Sequence, residues 1–223
     1  MDQALPNAQD VRVRAFVDFW NFQLDVQRHY GRDFPLDWRM LGSWLAKKAG
    51  GLFLENDKRS RIRYEALHVY VSCNPKSPPD CRLRHWATSV LDRFPGVQVV
   101  VKERKPKGPP SCPSCHGEIT KCPACGATTA GTVEKGIDTA IVTDMIRLAW
   151  EDSYDLAVLL SSDRDFIPAV EFLNAKGRKV IHAGFPPKGI DLARKCWASV
   201  DLTSSLNEIR RAQSNGPPST RGI

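Results

Sequence analysis

Four cysteines form two Cys-x-x-Cys pairs within a short segment of the chain, Cys112 with Cys115 and Cys122 with Cys125. Each pair has the form Cys-Pro-x-Cys, and a glycine follows within two residues, which permits the positive φ that closes such a loop. Two thiolates three positions apart can bind one metal ion, and two such loops supply the four soft, tetrahedral ligands that suit Zn²⁺. The spacing predicts a structural zinc site whose ligand positions are all filled, so this metal should not be catalytic.

Two other arrangements of these cysteines stay open at the level of sequence. Two local disulfides or a redox pair would use the same residues, and His116 could replace one thiolate. The symmetry of the two halves favours four cysteine ligands, in a spacing that resembles zinc-ribbon and rubredoxin-like knuckles. The link of six residues, 116–121, leaves no room for a full ribbon sheet. We therefore expect the metal to fold a loop that cannot fold by itself.

Acidic side chains occur in three separated segments, each where a strand ends or a helix begins. Asp18 closes the first predicted strand, and Asn21 opens the helix that follows. Asp138 lies at the start of another predicted helix, and Asp163 and Asp165 come directly after an apolar strand. Because the carboxyl ends of parallel strands form the ligand crevice of an open α/β sheet, the aspartates that follow strands should converge there, and Asp138 could join them.

Carboxylates crowded into one crevice repel one another unless a cation neutralises them. Mg²⁺ and Mn²⁺ take oxygen ligands, activate water and stabilise the charge of a phosphodiester under attack. Taken singly, Asp163 or Asp165 can instead cap the following helix, and Asp138 suits a helix N-terminus. Asp18 is harder to explain in that way, because it interrupts an apolar strand end where a cap is not expected.

Three short motifs resemble the signatures of NYN domains, which are PIN-like nucleases of the LabA-like branch. They are Val-Asp-Phe-Trp-Asn at 17–21, Lys-Gly-Ile-Asp at 135–138 and Leu-Ser-Ser-Asp-Arg-Asp-Phe at 160–166. The family patterns are approximately (V/I)DxxN, KG(V/I)D and SxDxDF. The match has the right order and covers most of residues 11–202, and three motifs together are specific where any one would be weak. The zinc insertion is not part of the minimal family pattern.

The resemblance implies a three-layer, Rossmann-like (PIN-like) α/β fold with a mainly parallel sheet, and metal-dependent cleavage of RNA. By motif position it makes Asp18, Asp138, Asp163 and Asp165 both the catalytic acidic site and the ligands of Mg²⁺ or Mn²⁺. Asn21 would orient that site.

Three further residues are candidates for secondary roles. Ser162 falls beside the acidic site, and Asp144 resembles another acidic position on the family's helix. Six residues separate Asp144 from Asp138, which places it about 120° around the helix. Lys135 could contact a scissile phosphate or merely begin a helix.

Together these features predict a metal-dependent ribonuclease, specifically an endoribonuclease. A rival hypothesis is a non-catalytic RNA-binding or regulatory adaptor that keeps the fold and uses the zinc loop for partners. No acidic motif position has become apolar, which disfavours the adaptor. A small-molecule phosphohydrolase is disfavoured as well, because Asp18 is not followed by a second aspartate two positions on.

Short apolar strands alternate with helices, which predicts a sheet buried on both faces. The nuclease domain should span 11–210 with the zinc insertion at 108–130, between disordered ends at 1–10 and 211–223. The predicted strands are 11–19, 64–71, 97–101, 156–160 and 179–182, and the predicted helices are 21–30, 37–48, 80–94, 136–150, 165–176 and 189–197.

The composition of the 223 residues fits a packed, basic domain. Hydrophobic residues make up 42%, and the formal net charge of +7 with a pI of about 9.1 suits a polyanionic partner such as RNA. No stretch approaches the ~20 apolar residues of a membrane helix, and no signal peptide is visible. Seven cysteines, four of them in pairs, favour metal over disulfides and a reducing, cytoplasmic location. The oligomeric state is left undetermined, with a dimer open.

Weaker signals come from basic and aromatic residues. The stretches 58–63 and 102–107 could contact phosphates or be solvated loops. Trp20 and Trp38 could stack on bases, although a place in the core is the more frequent role of tryptophan.

Overall fold

A parallel sheet with helices on both faces forms the body of the protein. The computed structural model describes residues 10–54 and 60–211. The ends predicted to be disordered lie outside the described residues, except for Asp10, which begins the first strand, and Arg211. The strands are β1 Asp10–Asp18, β2 Arg61–Cys73, β3 Val97–Glu103, β4 Lys105–Lys107, β5 Gly131–Val133, β6 Leu156–Leu160, β7 Lys179–Gly184 and β8 Ala198–Asp201.

Helices connect most of these strands. They are α1 Phe19–Tyr30, α2 Trp38–Leu54, α3 Pro78–Ser89, α4 Ile137–Trp150, α5 Ile167–Ala175 and α6 Ile190–Ala193, with 3₁₀ turns at Leu91–Arg93, Arg164–Phe166 and Ser205–Ile209. Six strands form one sheet in the order β3-β2-β1-β6-β7-β8, and every neighbouring pair is parallel.

Successive side chains of a strand point to opposite faces of the sheet, so the core consists of two layers, one on each face. On β1, Val13, Ala15 and Val17 face the cluster that packs under α1, α2 and α3, whereas Phe16 faces the cluster under α4, α5 and α6. Every residue of β6 is buried, as expected of a central parallel strand covered on both faces. The predicted three-layer α/β fold is confirmed.

The close packing of α2 on β2 explains why this helix runs past its predicted end at residue 48. Two glycines lie on the face of α2 that meets the sheet. A Cβ on Gly42 would lie 2.4 Å from the Tyr64 hydroxyl, and one on Gly50 would lie 2.3 Å from Ile62 Cγ1. The glycines cost helix propensity, but they allow a close approach of helix and strand that stabilises the longer helix.

The predicted last helix, 189–197, was wrong in length, and the strand after it was not predicted. Helix α6 ends at Ala193, and the chain turns so that Trp197 N donates to Val180 O at 2.8 Å. Strand β8 then pairs with β7. Four residues carry little strand signal of their own, and the pairing with β7 supplies what the local sequence lacks.

The strand order creates one switch point. From β1 the chain builds outward through β2 to β3, and it then returns to place β6 on the other side of β1. In open α/β sheets the crevice at such a point, beyond the carboxyl ends of the strands, is the usual place for a ligand.

The segment between β3 and α4 forms a separate hairpin. Strands β4 and β5 pair antiparallel as a two-stranded ribbon, and the cysteine pairs lie between them. The basic stretch 102–107, for which a solvated loop was one of the two alternatives, is therefore partly strand. Among the described residues, no helix is long and apolar enough to cross a membrane.

Candidate active site

Asp18 ends β1 and is the N-cap of α1. Its carboxylate accepts hydrogen bonds from Asn21 N at 3.2 Å and from Ser161 Oγ at 3.4 Å. The expectation that Asp18 has no capping role was therefore wrong, because α1 begins directly at the strand end. The residue is only 5% exposed, and this burial, together with the carboxylates of Glu134 and Asp138, raises the pKa of Asp18 to about 7.

The loop after β6 carries the second part of the site. Asp163 caps the turn Arg164–Phe166, because its carboxylate accepts from Asp165 N at 2.9 Å. Ser161 Oγ accepts from Asp163 N at 3.2 Å while it donates to Asp18. The capping alternative is therefore correct for Asp163, and the same side chain also faces the crevice carboxylates.

Asp138 joins this group from the first turn of α4. Burial raises the pKa of Asp138, and the carboxylates of Asp163, Glu134 and Asp165 raise it further. Gly136, the N-cap residue of α4, has φ 81°, a left-handed conformation that favours glycine. The fold thus brings the four predicted aspartates within electrostatic range of one another.

Glu134 is a fifth carboxylate of the site that sequence reasoning did not single out. It raises the pKa of both Asp18 and Asp138, and it accepts a hydrogen bond from Ser72 Oγ. Arg104 Nε donates to the same hydroxyl at 3.1 Å. The position of Glu134, four residues before Asp138, was the one local signal that could have identified it from the sequence.

The two tryptophans considered for stacking have different surroundings. Trp38 is buried in the core. Trp20 is half-buried, donates from Nε1 to Ser72 O at 2.7 Å and has the Arg104 guanidinium 5.1 Å from its ring centroid.

A second network holds the loop after β6 from the other side: it contains the predicted residues Asn21 and Ser162, together with Asp25 and Lys188, which were not predicted from the sequence. Asn21 Oδ1 accepts from Ser162 N at 2.9 Å, and Ser162 Oγ donates to Asp25 at 3.1 Å. Asp25 is 2% exposed, and both of its oxygens lie 2.9 Å from Lys188 Nζ. Arg28 also donates to it at 2.8 Å. Asn21 and Asp25 lie one helical turn apart on α1, which is the one local hint the sequence contained.

Asp144 and Lys135 are not part of these networks. Asp144 accepts from the Tyr70 hydroxyl at 2.9 Å and pairs with Arg147 at 3.1 Å. Lys135 is exposed and forms no ion pair within residues 10–54 and 60–211.

The acidic group suits a hard divalent cation by its donor chemistry. Oxygen donors and several mutually repelling carboxylates are what Mg²⁺ or Mn²⁺ would stabilise. In the part of the chain that the structure describes, no three Asp, Glu, His or Cys side chains are yet gathered closely enough to hold an ion. Binding would therefore require the carboxylates to approach one another more closely.

Each cysteine pair forms a knuckle with the same hydrogen bonds. In the first, Cys112 N donates to Gly117 O at 2.8 Å and His116 N to Cys112 O at 2.9 Å. In the second, Cys122 N donates to Ala127 O at 2.8 Å and Gly126 N to Cys122 O at 2.8 Å.

The knuckles also favour the thiolate form of their first cysteines. Backbone N–H groups of Cys115 and Ser114 lower the pKa of Cys112, and those of Ala124 and Cys125 lower the pKa of Cys122. A thiolate is the form that binds zinc. The two pairs are not drawn together into a four-sulfur cluster in the described hairpin, so the zinc site stays a prediction.

The parallel α/β sheet, with carboxylates in electrostatic range of one another at its switch point, has the three-layer architecture of PIN-like domains, which is a nuclease-like fold. The family model of the NYN domain matches residues 12–203, and the chain therefore belongs to the NYN domain family. The resemblance found in the three motifs is confirmed, whereas the LabA-like branch is not tested.

One solved structure is similar to this chain over most of its length. It is a crystal structure of a protein of unknown function from Vibrio parahaemolyticus, with 17% sequence identity and a TM-score of 0.49, covering 90% of this chain and 96% of that one. No curated protein gives a significant match.

Proposed function

We propose that this protein is a metal-dependent ribonuclease that cleaves RNA phosphodiester bonds at the crevice between β1 and β6, as an endoribonuclease. NYN domains are generally nucleases, which supports hydrolysis as the reaction class. The observation that carries the proposal is the buried Asp18 carboxylate, electrostatically coupled to Asp138 and Glu134 at the switch point of the sheet. A buried carboxylate with a strongly raised pKa in a crevice is a feature of functional sites.

The residues of the crevice divide into ligands and positioning groups. Asp18, Asp138, Asp163 and Asp165 would hold Mg²⁺ or Mn²⁺, which when bound supplies an activated water and stabilises charge on the phosphate. Ser161 Oγ positions both residues, Asp18 and Asp163, because it donates to the Asp18 carboxylate and accepts from the Asp163 backbone N–H.

Two further groups complete the crevice. Asn21 fixes the loop after β6 through Ser162 N. The exposed ammonium of Lys135, which forms no ion pair in the parts of the chain that the structure describes, can meet a substrate phosphate. A structural Zn²⁺ in the hairpin belongs to the same proposal.

The test is cleavage of a labelled circular RNA, which has no ends and so reports endonucleolytic action alone. With Mn²⁺ the wild type should cut, and EDTA should stop it. Asp18→Asn and the Asp163→Asn/Asp165→Asn variant should lose about 100-fold or more in kcat. Glu151→Gln is the matched control, because this exposed carboxylate lies just after α4, at the end opposite Asp138.

The outcomes separate the nuclease from the adaptor. If the purified wild type binds RNA but cuts none with Mn²⁺ or Mg²⁺, the nuclease proposal fails and the non-catalytic adaptor is favoured. Unchanged Mn²⁺ affinity in the Asp163→Asn/Asp165→Asn variant would also contradict the assigned metal ligands.

A further inference from the structure

A second concave site lies beside the acidic crevice, at the carboxyl ends of β7 and β8. It is an open cavity of about 400 Å³. None of the carboxylates of the acidic site lines it. Its lining includes Pro186, Lys188, Ile190, Arg194, Ser199 and Asp201. The volume lies within the ~300–1,000 Å³ range of small-ligand sites, which suits one nucleotide and excludes a duplex.

The cavity and the acidic crevice share a wall. Gly189, with φ 75°, packs so tightly on the loop after β6 that a Cβ there would lie 3.0 Å from Ser162 Cα. His182 Nε2 is hydrogen-bonded to Ser161 O at 3.0 Å. Lys188 reaches past this wall to Asp25, which binds Ser162 Oγ. A ligand in the cavity would therefore lie next to the loop that carries Asp163.

The chemistry of the lining matches one unit of a nucleic acid strand. Pro186 and the 44%-exposed Ile190 offer an apolar wall for the face of a base. Arg194 is exposed and has no ion pair among the described residues, so its guanidinium is available for a phosphate. Ser199 and Asp201 can hydrogen-bond a base edge or a ribose hydroxyl.

We propose that this cavity binds one unpaired nucleotide of the RNA strand, adjacent to the bond cleaved at the acidic crevice. Arg194 contacts its phosphate and Ile190 its base. The proposal rests on the proposed ribonuclease function and deepens it, because a base can enter the cavity only when it is not paired. The substrate class is therefore single-stranded or looped RNA.

Binding and cleavage of a short, fluorescein-labelled single-stranded RNA test this assignment. Binding is measured by anisotropy with Ca²⁺ in place of Mn²⁺, and cleavage with Mn²⁺. Arg194→Glu and Ile190→Asp should each raise Kd and KM by about 10-fold, which corresponds to ~1.4 kcal/mol, with a smaller effect on kcat. Lys176→Glu, an equal charge reversal just after α5 and remote from the cavity, should leave Kd within about twofold.

A cross-linking measurement locates the nucleotide independently of these variants. RNA that carries 4-thiouridine should cross-link to the segment 186–194 in wild type and less so in Ile190→Asp. Circular dichroism of each variant checks that the fold is retained, and Arg194→Ala serves as the milder substitution.

The outcomes distinguish this inference from the proposed function. RNA that is cut normally, with Kd and KM unchanged in both cavity variants, would overturn the nucleotide site and leave the nuclease standing. RNA that binds and cross-links at 186–194 but is never cut would overturn the nuclease and support the nucleotide site. Equal Kd for fully duplex and single-stranded RNA in the wild type would also overturn the inference.

Discussion

At the scale of single residues, Asp18 combines two roles that normally conflict. It caps α1 through Asn21 N, a role that favours the carboxylate form. It is also buried beside other carboxylates, which favours the protonated form and dominates, because the pKa of Asp18 rises from 3.8 to about 7. The ionised residue is thus destabilising until a cation arrives.

The raised pKa of Asp18 predicts the direction in which the stability of the metal-free protein changes with pH. Because the pKa of Asp18 is higher in the folded state, the folded protein binds the extra proton, and its stability is lost as the pH rises from about 4 through about 7. Asp18→Asn removes that loss. We expect the stabilisation by Asp18→Asn to be about 2 kcal/mol larger at pH 8 than at pH 5. Urea unfolding in EDTA measures it.

Glu151→Gln is the control for this prediction, because its carboxylate is exposed and remote from the crevice. A stabilisation by Asp18→Asn that is the same at both pH values would contradict the assignment of the raised pKa to Asp18. Saturating Mn²⁺ should reverse the order of stability, because only the wild type would bind the ion fully.

The buried Asp25 carboxylate gives a second residue-level prediction. Among the described residues, Lys188→Met leaves Arg28 as the one cation paired with Asp25, and a buried charge that loses a partner is costly. Since the Lys188 side chain is 42% exposed, we expect a loss of about 1–3 kcal/mol in unfolding free energy, below the cost of breaking a fully buried pair. RNA cleavage should fall as well, because Asp25 positions Ser162.

Lys195→Met is matched to this change, since it breaks the exposed pair with Glu171 and should not change stability measurably. The double variant Asp25→Asn/Lys188→Met should recover stability relative to Lys188→Met alone. If the loss of unfolding free energy in the double variant equals the sum of the losses in the two single variants, the two residues are not coupled.

At the scale of elements, the knuckle hairpin is the least self-sufficient part of the structure. Every residue between β4 and β5 is exposed or half-buried, so the hairpin lacks a core of its own. The backbone N–H groups around Cys112 and Cys122 favour thiolates before any metal is bound. Zinc would draw the two knuckles together and fix their relative position.

Cys122→Ser tests that role. We expect zinc content to fall from one ion per chain to well below one, measured by atomic emission on the purified protein. The unfolding midpoint of the sheet domain should stay nearly constant, because the hairpin contributes nothing to the two core clusters. KM for RNA should rise.

Cys81→Ser, which changes an exposed thiol on α3 outside the pairs, is the control for this substitution. A large drop in the unfolding midpoint of the sheet domain in Cys122→Ser, alongside the rise in KM for RNA, would contradict the separate roles of hairpin and sheet. Full zinc content in Cys122→Ser would contradict the four-cysteine site.

At the scale of the whole molecule, positive side chains flank the acidic crevice on both sides. The hairpin, with the exposed lysines Lys105 and Lys107, leaves from the β3 edge of the sheet. The cavity with Lys188 and Arg194 lies at the β7 and β8 side. An RNA strand that runs from hairpin to cavity would cross the carboxyl ends of β1 and β6 on its way.

If RNA follows this path, the lysines of the hairpin should make a salt-dependent contribution to RNA binding. Lys105→Glu/Lys107→Glu should weaken RNA binding and reduce the slope of log K against log salt by about 1.4, because it removes two phosphate contacts and each contributes about 0.7 in a single strand. Arg61→Glu/Lys176→Glu makes the same charge change at the opposite end of the sheet and should leave the slope nearly unchanged. Equal effects of the two double variants would show that only net charge matters.

The sequence by itself determined the fold class and the motif residues. Alternating buried strands such as β6 and helices such as α4 signal a parallel sheet, because their patterns depend on local burial. Asp18, Asp138 and Asp163 could be predicted because strand ends and helix starts are local features that a parallel sheet gathers at one edge. The cysteine spacing was equally readable, since a knuckle closes within a few residues.

Only the tertiary structure decided the residues that support the site and the surfaces around it. Glu134 meets Asp18, and Lys188 meets Asp25, across more than 100 residues of chain, so neither partner has a local signal. Strand β8 exists because β7 offers an open edge, and the cavity beside it exists because of that pairing. Such features depend on which distant groups the fold places side by side, and a local pattern carries no information about that placement.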